Sequence, residues 1–292
     1  MPSNRLRTLL FKTLDFLPEK VGQKIYHQIQ KILFQSLEPR IKASEHSYDI
    51  LSRMLEGQAF SLKDKNVVEI GSGWIPIMPY LLKYRGKCKA VHTYDINEHY
   101  DNKYIDALNN HFATLKTTVS VEKSYKYHLP SFVQYFPKKD VAKVKLPEDT
   151  DLVFSRFVLE HVPPEDIKRM HQHLAGLKNE ALVLHLISPS DHRAYTDKSI
   201  SYYDFLKYSQ EEWEGIQTKF DYHNRLRLPQ YIELFESTGF EVLDIQYDLP
   251  EKDSDKYRAF KELSIHEDFG HFTEDELMAG AINVLLKNKK AH

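Results

Sequence analysis

The chain has 292 residues, with 40 Lys plus Arg against 42 Asp plus Glu, one cysteine and 15 histidines. Apolar residues make up 41% of it, enough for a sizeable core, which excludes global disorder. The single Cys88 excludes an internal disulfide framework, and a net charge of -2 excludes a protein that coats nucleic acid through bulk basic charge.

The charge is uneven along the chain. Residues 1–43 hold 8 Lys/Arg and 3 Asp/Glu, a net of +5, which leaves -7 on the rest. Leu6, Leu9, Leu10, Phe11 and Leu14 recur at helical spacing until Pro18, and Val21, Ile25, Ile29, Ile32 and Leu33 form a second stripe. A third helix is predicted over about 43–56. Residues 1–60 therefore read as a helical extension that caps a main domain over 61–292. Contact of these basic amphipathic helices with an anionic membrane surface or an anionic substrate is the alternative. The longest uncharged stretch, Ile70–Leu82, has 13 residues and contains two glycines and two prolines. A spanning helix needs roughly 20 apolar residues, so no transmembrane segment is expected and the protein is expected to be cytoplasmic.

From Asn66 the pattern changes. Val67-Val68-Glu69-Ile70 is a short apolar strand that stops at Gly71-Ser72-Gly73. A helix is predicted over Ile75–Tyr84, with Pro76 and Pro79 in its first turns, where missing N–H groups cost little. Ala90–Tyr94 is the next strand, ending at Asp95, and a helix follows over about 98–115. The segment 116–150 is ambiguous apart from a short strand near Phe132–Tyr135. Asp151–Phe154 is a strand that leads into Ser155–His161. Pro163 opens a helix to Leu177, on which His171 and His173 read as surface residues. Ala181–Leu186 is a strand. Residues 189–228 are polar and aromatic, with a helix near 201–215, and read as a substrate lid inserted before the next helix. That helix, Pro229–Ser237, is stopped by Gly239. Phe240–Tyr247 and Ala281–Leu286 complete the strands. Strands alternating with helices predict a mostly parallel sheet covered on both faces, with ligands bound beyond the carboxyl ends of the strands.

The strand–GSG–helix element lets backbone approach a ligand closely, and the helix N-terminus behind it favours a negative group. Asp95 follows Gly71 by 24 residues at the end of the next strand, where a carboxylate can accept from both ribose hydroxyls of an adenosyl cofactor. A glycine loop with such an acid occurs in dinucleotide binders and in S-adenosylmethionine binders. A dinucleotide site wants a third glycine; here Pro76 stands at that position, which weighs against an NAD(P)-dependent oxidoreductase.

Val67-Val68-Glu69-Ile70-Gly71-Ser72-Gly73 resembles motif I of the class I S-adenosylmethionine-dependent methyltransferases of the small-molecule type, similar to the type 11 methyltransferase-domain group. Asp95 matches that family's ribose-binding acid. Residues 151–162, with Ser155-Arg156-Phe157-Val158-Leu159-Glu160-His161, resemble its motif IV and the following loop. Glu241-Val242-Leu243 and Ile282–Leu286 suit its final hairpin. The resemblance covers about 60–290. It implies an α/β, Rossmann-like, seven-stranded sheet in the order 3-2-1-4-5-7-6 with strand 7 antiparallel, and S-adenosyl-L-methionine as cofactor. It further implies Glu69, Gly71, Ser72 and Gly73 around the methionine part, Asp95 on the ribose and Ile96 against the adenine. Asp140 would lie near the adenine amino group, and Ser155 and Arg156 where the loop passes the cofactor. Ser188–His192, Asp197–Ser201, Phe205–Ser209 and Tyr222–Arg227 resemble a bacterial subgroup associated with surface glycans.

On the acceptor side, a neutral hydroxyl needs a base, and histidine is the usual agent near pH 7. His161, His185 and His192 are the candidates. Asp191 and His192 could form a base pair or contribute metal ligands, although two adjacent residues make no site alone and no metal is assigned. Arg225 and Arg227 could grip a phosphate or carboxylate, and Tyr195 could stack on the acceptor. The expectation is methyl transfer to an oxygen of a small-molecule or glycan-type acceptor. The alternatives are the oxidoreductase and a non-catalytic S-adenosylmethionine-binding protein. No D/N-P-P-Y/F/W motif follows strand 4, so no nucleic-acid partner is expected.

Overall fold

The computed structural model describes residues 11–32, 36–115 and 126–289. Seven strands form one sheet: β1 (Asn66–Ile70), β2 (Ala90–Asp95), β3 (Val133–Pro137), β4 (Leu152–Arg156), β5 (Leu182–Ile187), β6 (Phe240–Asp248) and β7 (Gly280–Asn288). Their spatial order is β3-β2-β1-β4-β5-β7-β6. β1, β2, β3, β4 and β5 pair in parallel, and β7 runs antiparallel to both β5 and β6. This is the order that the resemblance to the methyltransferase family implies.

Alternation along the strands explains the two faces. Val67, Leu152, Phe154, Leu182 and Leu184 point into one core, while Val68, Val153, Val183 and Ile187 point into the other. Side chains on a strand alternate between faces, so a central parallel strand buried on both sides reads as a continuous apolar run.

Helices cover both faces. The first core takes α2 (Leu37–Gly57), α3 (Ile77–Tyr84) and α4 (Asn102–Thr114), and the second takes α5 (Pro164–Leu174) and α8 (Leu228–Ser237). α1 (Glu19–Ile32) precedes them. α2 is built into the first core through Ile41, Tyr48, Leu51, Met54 and Leu55. Phe11 and Leu14 are buried, and Tyr26 stacks on Phe220 at 5.1 Å, so the N-terminal segment rests on the 189–228 region. Leu6, Leu9, Leu10 and Leu33 lie outside the described residues.

The predicted helix near 201–215 divides. A 3-10 turn covers Asp204–Lys207, and α7 (Gln210–Ile216) starts afresh at Ser209. Ser209 and Glu212 form a reciprocal capping box, which satisfies orphan N–H groups at a new helix start. α6 (Arg193–Thr196), α9 (Asp255–Lys261) and α10 (Glu274–Met278) carry too few periodic apolar positions to read as helices. A third core joins Tyr203, Phe205, Leu206 and Trp213 to Phe260, Phe269, Leu277 and Met278. The segment between β6 and β7 therefore folds onto the segment after β5. No helix among the described residues is long and apolar enough to cross a membrane.

Candidate active site

The carboxyl ends of β1, β2, β4 and β5 converge on one face of the sheet, as the parallel register requires: Ile70 pairs with Tyr94 and with Ser155, and Ser155 pairs with His185. After β1 the chain turns through Gly71 (φ 81°) and Gly73 (φ 59°), a conformation that favours glycine. The two glycines do different jobs. A Cβ on Gly71 would lie 2.3 Å from Val158 Cγ2, so the loop is packed against the segment that follows β4. Nothing stands within 4 Å of a Cβ on Gly73, which leaves backbone open to a ligand.

Asp95 ends β2 beside this loop and is 9% exposed. Its carboxylate accepts from Ser72 Oγ at 3.2 Å and from the Asn97 N–H at 2.8 Å. The next side chain, Ile96, is 71% exposed, an apolar surface beside the acid. Glu69 is buried and accepts from Thr93 Oγ1 at 2.6 Å. Burial pushes its carboxyl up to about 8. Asp140 spends its carboxylate on the Ala142 N–H and on Lys143, both at 2.9 Å, and so organises the turn after β3. Its neighbour Lys139 donates its N–H to the Asp95 carbonyl at 2.9 Å.

Arg156, at the end of β4, donates Nε–H to Ser47 Oγ at 2.7 Å and stacks over Phe157 at 4.4 Å. Phe157 itself has φ 55°. The positive charge of Arg156 acts on both Glu69 and Glu160, drawing each carboxyl down against a larger rise from burial. Glu160 is fully buried, and burial leaves it at about 8.

Ser155 and His185 belong to the interior. Both are fully buried, with Ser155 Oγ 2.7 Å from His185 Nδ1 and His185 Nε2 3.0 Å from His171 Nε2. His171 Nδ1 lies 2.8 Å from the Ile167 carbonyl. A carbonyl only accepts, so His171 carries its proton on Nδ1. Its Nε2 then accepts from His185 Nε2–H, and His185 Nδ1 accepts from the Ser155 hydroxyl. Burial holds His171 down to about 4 and His185 well below the usual imidazole range, so both stay neutral. His185 as a base, Ser155 as a cofactor contact and His171 as a surface residue are therefore corrected: the three form a polar brace inside the sheet.

Asp191 is 1% exposed and is held by Arg193, at 3.0 Å to Nε and 2.6 Å to Nη2, so its carboxylate is not available as a base. Arg225 and Arg227 do not face an acceptor. Arg227, 1% exposed, donates to the carbonyls of Arg225 (3.0 Å), Pro189 (2.9 Å) and Leu277 (3.4 Å). Arg225 donates to the carbonyl of Phe205 and to Gln210 Oε1, each at 2.9 Å. Both arginines tie the loop after β5 to its neighbours.

His161 and His192 do come together, with ring centroids 4.9 Å apart. His223 completes a triangle, 5.4 Å from His161 and 4.5 Å from His192. Tyr195 borders the group 5.0 Å from His192 and shares its hydroxyl with Ser190 Oγ at 2.9 Å. Asn224 builds the cluster: its Nδ2 donates to the carbonyls of Leu159 (2.7 Å) and Val162 (2.8 Å), and its N–H to that of Glu160 (2.8 Å). His223, Asn224 and Glu160 carried no assigned role in the sequence; the one signal was a polar His-Asn-Arg run amid aromatics.

The strand order and this site at its carboxyl edge define the fold of the class I S-adenosylmethionine-dependent methyltransferases. A protein of Galdieria sulphuraria assigned as a sarcosine dimethylglycine methyltransferase shares that fold at a TM-score of 0.52 and 13% identity, over 85% of this chain and 87% of its own. Magnesium protoporphyrin IX methyltransferase from Synechocystis PCC 6803 gives 0.49 and 13%, over 88% of each chain. A protein of Listeria monocytogenes assigned as an S-adenosylmethionine-dependent methyltransferase gives 0.46 and 14%, over 85% of this chain and 99% of its own. No family model matches the chain, and no curated protein does.

Proposed function

We propose that the chain is an S-adenosylmethionine-dependent methyltransferase that moves a methyl group to an oxygen of a small-molecule or glycan-type acceptor. The observation that carries this reading is the pairing of the Gly71–Gly73 loop with Asp95 across adjacent strand ends, linked by Ser72 Oγ. The residues fit such a cofactor. Gly73 leaves an open backbone cradle, Asp95 has the position for ribose hydroxyls, and exposed Ile96 offers an apolar face for adenine.

When bound, the cofactor supplies a sulfonium methyl for in-line displacement. The work of the chain is binding and alignment. A ligand ammonium near Glu69 would favour its carboxylate form, and Arg156 already leans it that way. The acceptor side falls to the His161–His192–His223 group with Tyr195, because Val158, three residues before His161, touches the glycine loop. The segments around 189–228 and 249–279 form the lid over it.

Calorimetric titration with S-adenosylmethionine tests the reading. Wild type is expected to bind, and Asp95→Ala to lose about 1.5–3 kcal/mol, roughly 10- to 100-fold. No binding by wild type, or equal binding by the variant, removes the assignment.

A further inference from the structure

We propose that Glu160, His161 and His192 bind one divalent transition-metal ion beside the glycine loop, with His223 packed against them and the fourth coordination position open to an oxygen of the acceptor. The role given to the ion rests on the methyltransferase reading; the site itself rests on geometry.

One ligand atom each from Glu160, His161 and His192 lies within 4.8 Å of the others. The three imidazole rings stand 4.5, 4.9 and 5.4 Å apart, at interplanar angles of 68°, 65° and 89°. Imidazoles sharing a tetrahedral ion through one nitrogen each, at metal–nitrogen bonds of about 2.0–2.1 Å, have centroids about 5 Å apart. The His161 and His192 rings thus already hold the spacing of a shared centre, edge to face rather than stacked, with His223 packed against both.

Two of the imidazoles have their tautomer set by backbone carbonyls. His161 Nδ1 lies 3.0 Å from the Tyr222 carbonyl and His223 Nδ1 lies 2.6 Å from the Asn224 carbonyl. Each carbonyl accepts the Nδ1 proton, which leaves the Nε2 lone pair of His161 for a metal. This backbone anchor is how metal-bound histidines are usually held.

The buried groups point the same way. Glu160 is 0% exposed, and its carboxylate faces only the backbone N–H groups of Glu160 itself and Ser188, neither in good hydrogen-bond geometry. His223 Nε2 is buried without a hydrogen-bond partner. A buried carboxyl held so weakly is costly, and a cation offsets that cost. Asn224 clamps the carbonyls on both sides of Glu160-His161, so the approach of the two segments is built rather than incidental. His161 is the exposed member of the group, on the side from which an acceptor would approach. Two imidazoles and one carboxylate suit zinc or another first-row ion and not magnesium or calcium, which take oxygen ligands. An ion there would draw an acceptor oxygen to the site and make its proton easier to lose.

The test uses the full chain, stripped with a chelator and titrated with Zn²⁺ alone, without cofactor. One tight equivalent is expected, with Co²⁺ giving visible ligand-field bands at the same stoichiometry. Glu160→Gln should weaken that equivalent by about 10- to 100-fold or more. That position is buried, so His161→Ala, on the exposed side, keeps the test valid if that variant fails to fold. Zn²⁺ should raise the Tm of wild type and not that of His161→Ala. No tight equivalent in wild type, or one unchanged in His161→Ala, overturns the site. Zinc binding without S-adenosylmethionine binding would sink the methyltransferase reading alone; the reverse would sink the metal site alone.

Discussion

Val158 Cγ2 occupies the space that a side chain on Gly71 would need, 2.3 Å from where its Cβ would be. The loop after β1 and the segment after β4 are thereby keyed together, and the cofactor side is mechanically joined to the acceptor side. Gly71→Ala adds this overlap to the strain of a left-handed backbone and should cost about 2–4 kcal/mol. Gly73→Ala meets nothing within 4 Å and should cost only the backbone strain, about 1 kcal/mol, while obstructing the open cradle. Urea unfolding of the two variants checks the difference, and equal destabilisation would contradict it.

The His171–His185 pair makes stability sensitive to acid. In the unfolded chain these residues protonate near 6.5, whereas the folded protein keeps His171 neutral down to about 4 and holds His185 well below its usual range. Protons therefore bind the unfolded state first as pH falls below 6.5, and each histidine costs stability at about 1.4 kcal/mol per pH unit. Replacing both with leucine should flatten the loss between pH 6.5 and pH 5 relative to wild type. An unchanged slope in denaturant melts would show that the pair is not held neutral.

Glu69 acts in the opposite direction. Its carboxyl titrates at about 8 in the folded protein because it is buried, against 4.5 for a solvated glutamate. The stability it gives when protonated is complete below 4.5 and is lost as pH rises towards 8. Glu69→Gln, a neutral isostere, should gain stability relative to wild type across that window, by a few kcal/mol at pH 8. The same variant should bind S-adenosylmethionine more weakly if a ligand ammonium meets the carboxylate. A constant stability difference between pH 5 and pH 8 would refute the shifted titration.

Arg227 joins three stretches of chain through the carbonyls of Pro189, Arg225 and Leu277. Arg227→Ala should cost about 3 kcal/mol or more, because it leaves buried acceptors unmet and a cavity behind. Arg227→Lys should not restore the loss, since an ammonium lacks the planar fork that reaches separate carbonyls. Thermal unfolding gives the readout, and rescue by lysine would argue for a simple charge effect.

Much of the fold was legible because it is written in local chemistry. Val67–Ile70, Leu152–Phe154 and Leu182–Leu186 are apolar runs whose neighbours alternate between two cores, and Gly71-Ser72-Gly73 marks the turn at the first strand end. Asp95 was legible for the same reason, as an acid that ends the next strand. The helices α9 and α10 were not, because they are short and gain their stability from Phe260, Leu277 and Met278 packing on distant Tyr203 and Trp213. Arg225 and Arg227 read as anion grips because an arginine's sequence position does not reveal that backbone carbonyls surround it.

The sequence by itself determined the strands and the glycine–acid pair, because both follow from periodicity and from residues adjacent to strand ends, while the strand order followed from the family those motifs resemble. Only the tertiary structure decided how the histidines are used. His185 turned inward to Ser155 and His171, where burial keeps it neutral, while His161, His192 and His223 met from three separate segments. That meeting depends on Asn224 bridging to the turn after β4, a long-range contact that no local pattern encodes.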